Sequence, residues 1–250
     1  MTLSAVDLLI AARQGGPALS EADLRPADAA AAYALQDAIL ERIGPIGGWK
    51  VGAKTATAEP TCAPLPASGI LPSGTSLRLI PSSLRGIEVE VALRVRRDIA
   101  DSPQEIDALT LDDLFDAVFP AIEVVETRLA DFIDADPFSK LADLSSHGAL
   151  VVGPAATVRP GAVRLPQLRA ILSFDGQSVA DTIGGNPAVD LLRLTRWLAG
   201  HCVQRGSPLR KGQIVTTGSC TGMLFAQSRQ QIEGEIVSIG KVELSISTLG

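Results

Sequence analysis

Cysteine and histidine are scarce in this chain of 250 residues, with three of the first (Cys62, Cys202, Cys220) and two of the second (His147, His201). Three cysteines at wide and unequal spacings form neither a disulfide framework nor a CxxC metal site, and a reducing compartment is expected. Aromatic residues are few as well, six Phe, two Trp and one Tyr, which leaves little material for stacking single-stranded nucleic acid. Positive charge is in deficit, 22 Lys and Arg against 28 Asp and Glu for a net charge of -6. That balance supplies no overall drive toward phosphate backbones or anionic lipid. No apolar run approaches the ~20 residues that span a bilayer. The opening MTLSAVDLLIAARQGG has no basic residue ahead of its apolar run and carries Asp7 within it, unlike a signal peptide. The expectation is a cytoplasmic protein with a small-molecule partner, binding neither nucleic acid nor membrane. Neither GxSxG nor GxxxxGK[ST] occurs, so a nucleophile elbow and a P-loop are set aside.

What is present is an ordinary globular composition, 46% hydrophobic and 20% charged, at a length of one large domain or two small ones. Apolar residues recur at helical spacing from Leu3 to Arg13 and from Pro26 to Ile43, predicting a helical lead-in over the first sixty or so residues. The Pro-rich EPTCAPLPASG (Glu59 to Gly69) reads as an irregular loop. A β-rich body follows. Ile87 to Val95 alternates strictly, as a half-buried strand does, and Val118 to Val125 and Gly148 to Val152 are further strands. Asp175-Gly176 joins Leu168–Phe174 to Gln177–Ala180 as a hairpin. One late helix is expected, with Asn186 as its cap, Pro187 in its first turn and Gly206 at its end. Gln213 to Thr217 and a terminal hairpin near Gly240-Lys241 complete the pattern. The fold class is α+β, a helical lead-in before a largely antiparallel or mixed β body.

Glu88 and Glu90 lie two apart on a strand, so both carboxylates leave the same face about 7 Å apart. Such a pair either sits on a solvated sheet face or shares a hard divalent cation, whose charge removes the repulsion. Glu123, within the apolar FPAIEVV, is expensive to bury unpaired; Arg128 and Lys140 are candidate partners. Lys50 and Lys54 flank a glycine-containing turn in GGWKVGAKT, as exposed cations or as ligand contacts. His147 follows Ser145-Ser146 ahead of a strand, His201 lies on the late helix near Trp197, and GSCTG places Ser219, Cys220 and Thr221 at a strand end.

The order of these pieces resembles the fumarylacetoacetate hydrolase superfamily, in its branch of 2-keto-4-pentenoate hydratases and oxalocrotonate-type decarboxylases. AAYALQ (Ala31 to Gln36), GGWKVGAKT, GIEVEVAL, PAIEVVETR (Pro120 to Arg128), LADLSSHGALVVG, GNPAVDLLRLTRWLAG and GSCTGM carry the resemblance, over most of the chain. It implies a mixed β roll or sandwich body like that family's C-terminal domain, with residues 1–75 a helical segment contributing a lysine and residues 76–250 a metal-binding catalytic domain. It also implies Mg²⁺ or Mn²⁺ held by Glu88, Glu90 and Glu123, Lys50 as the active-site lysine, and Ser146, Ser219 and Thr221 as substrate contacts. The implied reaction adds water to a 2-hydroxydienoate to give a 4-hydroxy-2-oxo acid in aromatic catabolism, and a homo-oligomer is expected. The pattern departs at Ala67, where an acidic residue is usual, at Leu144, where Asn is common, and at His147, where a small residue is common. His147 is the candidate to fill the proton-transfer gap. Decarboxylation, C–C bond hydrolysis of acylpyruvates and a catalytically idle homologue that binds a metal and a 2-oxo acid are the alternatives.

Overall fold

A computed structural model describes residues 3–20, 22–79 and 84–248. Helix α1 (Ala5–Arg13) starts where Ser4 and Asp7 cap each other's backbone N–H groups, and α2 (Ala29–Ile43) starts where the Asp28 side chain accepts from Ala31 N. Helix stops there, at Ile43 rather than near residue sixty, because β1 (Ile46–Gly52) and β2 (Thr61–Pro66) pair antiparallel. The Pro-rich stretch is therefore a strand over most of its length. It lies at the edge of its sheet, where Pro64 and Pro66 forfeit no ladder bond on the open side.

In chain order there follow β3 (Ile70–Pro72), β4 (Thr75–Leu79), β5 (Gly86–Val95), α3 (Pro103–Ala108), α4 (Leu111–Leu114), β6 (Phe115–Val125), α5 (Pro137–Ala142) and β7 (His147–Val152). Then come β8 (Arg169–Phe174), β9 (Gln177–Ile183), α6 (Leu191–Gln204), β10 (Ile214–Ser219), β11 (Leu224–Phe225), β12 (Gln231–Ile236) and β13 (Gly240–Thr248). The larger sheet runs β2-β1-β10-β5-β6-β7-β3, with β11 also on β5, and the smaller runs β4-β13-β12-β8-β9. Both are mixed, since β1–β10, β3–β7 and β4–β13 are parallel pairs. Strands 46–72 thus belong to the larger sheet, and the helical description of residues 1–75 narrows to the part before Gly44. Among the described residues no helix is long and apolar enough to cross a membrane.

The two sheets pack face to face. Ile87, Val89, Val91 and Leu93 of β5 form one core with Leu172, Ile232, Val242 and Leu244 of the smaller sheet. Gly234 of β12 lets the layers close, since a Cβ there would stand 2.9 Å from Val89 Cγ2. The opposite face of β5 is covered as well: Glu90 and Ala92 are buried, and Ala92 packs with Leu65, Phe119, Ala121 and Leu150. Strand β5 is thus buried on both sides rather than half-buried. A third cluster, including Leu9, Ile39, Leu141 and Leu144, ties α1 and α2 to α5 and to the segment ahead of β7.

Asp175 (φ 50°) and Gly176 (φ 78°) form the two-residue turn their sequence predicts. The cap of α6 differs from expectation. Asp190 supplies it, accepting from Arg193 N, while Asn186 donates to Thr217 O (2.9 Å) and Gly218 O (2.8 Å) and so pins the end of β10. Gly48 has a stringent role. A Cβ on Gly48 would stand 2.1 Å from Ile214 O of the paired strand β10, a backbone contact that cannot rotate away. Gly48→Ala should cost about 3 kcal/mol by overpacking and backbone shift, lowering the melting temperature by roughly 10 °C at this chain length. Thermal unfolding within 2 °C or so of wild type would show that the close approach is not needed.

Candidate active site

Strand alternation and sheet order assemble the site. On β5 the even-numbered residues face away from the smaller sheet, and Glu88 stands directly opposite Glu123 of β6. On the other side of β5, Ser219 of β10 stands opposite Glu90, and Thr216, three residues earlier across a register shift, lies between Ala92 of β5 and Lys50 of β1. Trp49 and Val51, the neighbours of Lys50, point into the inter-sheet core. The three carboxylates converge, with one ligand oxygen from each of Glu88, Glu90 and Glu123 lying within 4.8 Å of the others.

This arrangement is electrostatically costly on its own, since like charges opposite each other on adjacent strands repel and Glu90 and Glu123 are 1% and 0% exposed. Lys50 Nζ donates to Glu123 Oε1 at 2.5 Å and to Ser145 O at 3.1 Å. His147 Nδ1 lies 3.3 Å from the same Glu123 oxygen. Glu90 Oε2 accepts from Thr216 Oγ1 and, at 2.8 Å, from Gly218 N. One ammonium faces three carboxylates, and their protonation reflects the deficit. Burial, then the Glu123 charge, pushes Glu88 up to about 7. Burial, then Glu123 and Glu88, pushes Glu90 up to about 8. Burial would raise Glu123 too, but Lys50 and His147 outweigh it and hold that carboxyl below its usual range. Burial works against the Lys50 charge, and Glu123, Glu88 and Glu90 together more than restore it. For His147 burial wins over Glu123 and favours the neutral ring.

A divalent cation fits this donor set. Glu123 Oε2 is buried and has no hydrogen-bond partner among the described residues, the donors are all carboxylate oxygens, and two added positive charges offset the repulsion.

Beside the carboxylates runs an unusual turn. Leu144, Ser145 and Ser146 all have left-handed backbone, at φ 50°, 50° and 57°, at a cost of about 1–2 kcal/mol each for L residues. Ser146 Oγ and His147 Nε2 are buried there without partners among the described residues. A Cβ on Gly69, two residues after Ala67, would stand 3.1 Å from that Nε2.

The residues expected from sequence are not all used alike. Glu88, Glu90, Glu123, Lys50 and His147 come together. Ser219 Oγ bonds Gly222 O (3.1 Å), and Thr221 Oγ1 accepts from Val89 N (3.2 Å) and donates to Gly222 O (3.0 Å), so both hydroxyls serve the turn after β10. Cys220 is buried, and burial, then Glu90, pushes its thiol up to about 12, which removes it as a thiolate nucleophile. His201 stacks on Trp197 with ring centroids 4.6 Å apart, and Lys54 is exposed. Glu123 pairs with Lys50 rather than with either expected cation, because Arg128 is taken by Asp143 and Lys140 Nζ donates to Ile133 O. Thr216, the Gly218 N–H, the Ser145 carbonyl and the Arg128–Asp143 pair went unsuspected. Alternation along β10 marks the face of Thr216, but only the strand order places it beside β5.

Residues 38–247 match the fumarylacetoacetate (FAA) hydrolase C-terminal family. Over 171 residues the chain is 33% identical to a 2-keto-4-pentenoate hydratase of Paraburkholderia phymatum, a match spanning 64% of this chain and 60% of that protein. A TodF product hydratase of Pseudomonas putida is 28% identical, over 95% of this chain and 92% of its own. In fold, the chain resembles 4-oxalocrotonate decarboxylase from Pseudomonas putida G7, solved with magnesium and adipate (TM-score 0.82, 21% identity, 98% of this chain and 99% of that one). It also resembles maleylpyruvate hydrolase from Sphingobium sp. SYK-6, solved with manganese(II) and pyruvate (TM-score 0.56, 14% identity, 81% of this chain and 70% of that one).

Proposed function

The chain belongs to the fumarylacetoacetate hydrolase family, and from that premise we propose that it is a divalent-metal-dependent lyase adding water to a 2-hydroxydienoate to give a 4-hydroxy-2-oxo acid, as in aromatic catabolism. The observation that carries this reading is the cluster of Glu88, Glu90 and Glu123 with the Lys50 ammonium seated on it. Relatives along the chain are named hydratases, and two proteins of similar fold hold magnesium or manganese, one of them with the 2-oxo acid pyruvate. Mg²⁺ or Mn²⁺ held by the three glutamates would supply Lewis-acid stabilisation of the negative charge that develops on a 2-oxo acid.

The chain's own residues handle protons and orientation. In the first step the 2-hydroxyl proton leaves and the terminal carbon of the diene gains one, giving the conjugated ketone. In the second, hydroxide from water adds at C4 while a proton goes to C3. Glu123 and Ser145 O take two of the three N–H donors of Lys50, and the third, with no hydrogen bond among the described residues, can donate to a substrate oxygen, where its charge favours the enolate. Ser146 Oγ, buried and unpartnered among the described residues, is a further donor to substrate. His147 serves as the acid–base group. Burial favours its neutral ring, its Nδ1 lies against Glu123, and the Nε2 that finds no partner in the described residues is the atom left to exchange a proton with water or carbon. Ser219 stays in the proposal as a contact at the strand end opposite Glu90, with Thr221 supporting it through the same turn.

His147→Asn should lower hydration kcat by about 10²-fold, within the range of general acid–base catalysis. Metal affinity, measured alongside, separates this role from one exerted through Glu123, because a residue that only orients a ligand costs about 10- to 100-fold in affinity. A variant with wild-type turnover would remove His147 from the mechanism.

Decarboxylation is the second reading. It is favoured by the whole-chain likeness of fold to a decarboxylase and by Ala67 in the turn that adjoins His147. NMR product analysis of metal-loaded protein incubated with 2-hydroxydienoates and oxalocrotonate tests both. Formation of a 4-hydroxy-2-oxo acid is expected. Release of CO₂ from oxalocrotonate with no hydration of any dienoate would replace the hydratase by the decarboxylase.

A further inference from the structure

The left-handed turn Leu144–Ser146 sits where Lys50 needs a rigid acceptor, and one buried guanidinium holds both of its ends. Arg128 Nη2 donates to Asp143 O (3.0 Å), the residue before the turn, and Nη1 donates to His147 O (3.0 Å), the residue after it. Its Nε donates to Asp143 Oδ1 (2.5 Å), while the Arg128 backbone N–H donates to Asp143 Oδ2 (3.0 Å). Arg128 and Asp143 are 4% and 1% exposed. A second guanidinium, Arg13, reaches the same His147 carbonyl at 3.2 Å from the end of α1. From these contacts we infer that Arg128 is a positioning residue: its fork clamps the two ends of the left-handed turn, and the clamped turn aims Ser145 O at Lys50 and fixes the direction of its ammonium.

Three consecutive left-handed L residues relax toward ordinary backbone unless the surroundings over-determine them. Asp143 O and His147 O bracket the turn, so any relaxation moves them relative to each other. A planar fork bonded to both resists that motion, whereas a lysine, with a single nitrogen at the end of a flexible stem, does not. Ser145 O lies inside the bracket and accepts from Lys50 at 3.1 Å. The clamp itself stands on the contacts alone; its consequence for turnover rests on the proposed role of Lys50.

The test is a cycle of Arg128→Lys and Ser145→Gly. Glycine adopts left-handed backbone without steric penalty, so it relieves the middle of the three strained residues and lessens the turn's need for a clamp. In the otherwise wild-type chain, Arg128→Lys should lower kcat by roughly 100-fold, the usual effect of a displacement of about 1 Å at a reacting group, with KM changed by less than about threefold. In the Ser145→Gly background the same replacement should cost several-fold less in kcat, because the two sites share one strained turn. Independently of turnover, the Lys50 Nζ resonance, assigned by its loss in Lys50→Met, should shift in Arg128→Lys and move back toward its wild-type position in the double variant. If no dienoate is turned over at all, the resonance alone decides. Folding of the double variant where Arg128→Lys does not fold also supports the clamp. Equal losses in both backgrounds, an unmoved Lys50 resonance, or failure of both variants to fold would overturn it.

Discussion

Glu88→Gln, Glu90→Gln and Glu123→Gln should each lower Mn²⁺ affinity by at least about 100-fold in isothermal titration, since even residues that merely orient a ligand cost 10- to 100-fold. The substitution keeps the size and one oxygen but deletes a charge that a hard cation needs. The three variants should then diverge in metal-free stability, which gives the experiment its resolution. Glu88 stands opposite Glu123, and burial and that charge both push its carboxyl up, so Glu88→Gln removes a repulsion and should leave the metal-free melting temperature equal or higher. Glu123→Gln strips the buried Lys50 ammonium of its partner and should be destabilising, because breaking a buried pair costs about 3–5 kcal/mol. Residues retained at a cost to stability are the ones that function requires. Unchanged affinity in all three variants would place the metal elsewhere.

Replacing Lys50 with Met should reduce turnover by about 10²- to 10⁴-fold, the span of general acid–base and electrostatic contributions, with metal affinity equal to wild type or tighter. Met preserves much of the stem and removes the charge. Glu123, 0% exposed, then loses its ammonium. The metal-free protein should therefore melt earlier, and saturating Mg²⁺ should restore most of the difference by replacing the missing positive charge. Wild-type turnover would reduce Lys50 to a structural partner of Glu123.

Much of this site is legible in the chain because it rests on short-range regularities. Strict alternation from Ile87 to Val95 puts Glu88 and Glu90 on one face whatever lies beside them, and Asp175-Gly176 specifies its turn without help from the rest of the fold. Motif order along the chain then links Lys50 and Glu123 to that pair. What could not be read depends on pairing at a distance. Glu123 finds Lys50, 73 positions away, because β10 and β5 separate β1 from β6 in a strand order that no local pattern encodes. Thr61–Pro66 looks like a loop because its prolines suit an interior strand badly, and only its place at the sheet edge makes them harmless. Asn186 has the composition of a helix cap, but carbonyls of β10 claim its amide. The left-handed run at Leu144–Ser146 contains no glycine to announce it and persists through Arg128, a side chain of β6's trailing loop.

Adjacent residues of β1 serve opposite faces, Trp49 the dry core and Lys50 the carboxylates. A slip of β1 by a single position against β10 would exchange them, driving an ammonium into hydrocarbon and an indole onto three glutamates. Both halves of that exchange are prohibitive, so a half-assembled site has no compact conformation to occupy. Site formation and cooperative folding are then one event. In a preparation of this protein, the fraction of chains able to bind a cation should equal the fraction that is folded, and metal titration becomes a count of native molecules.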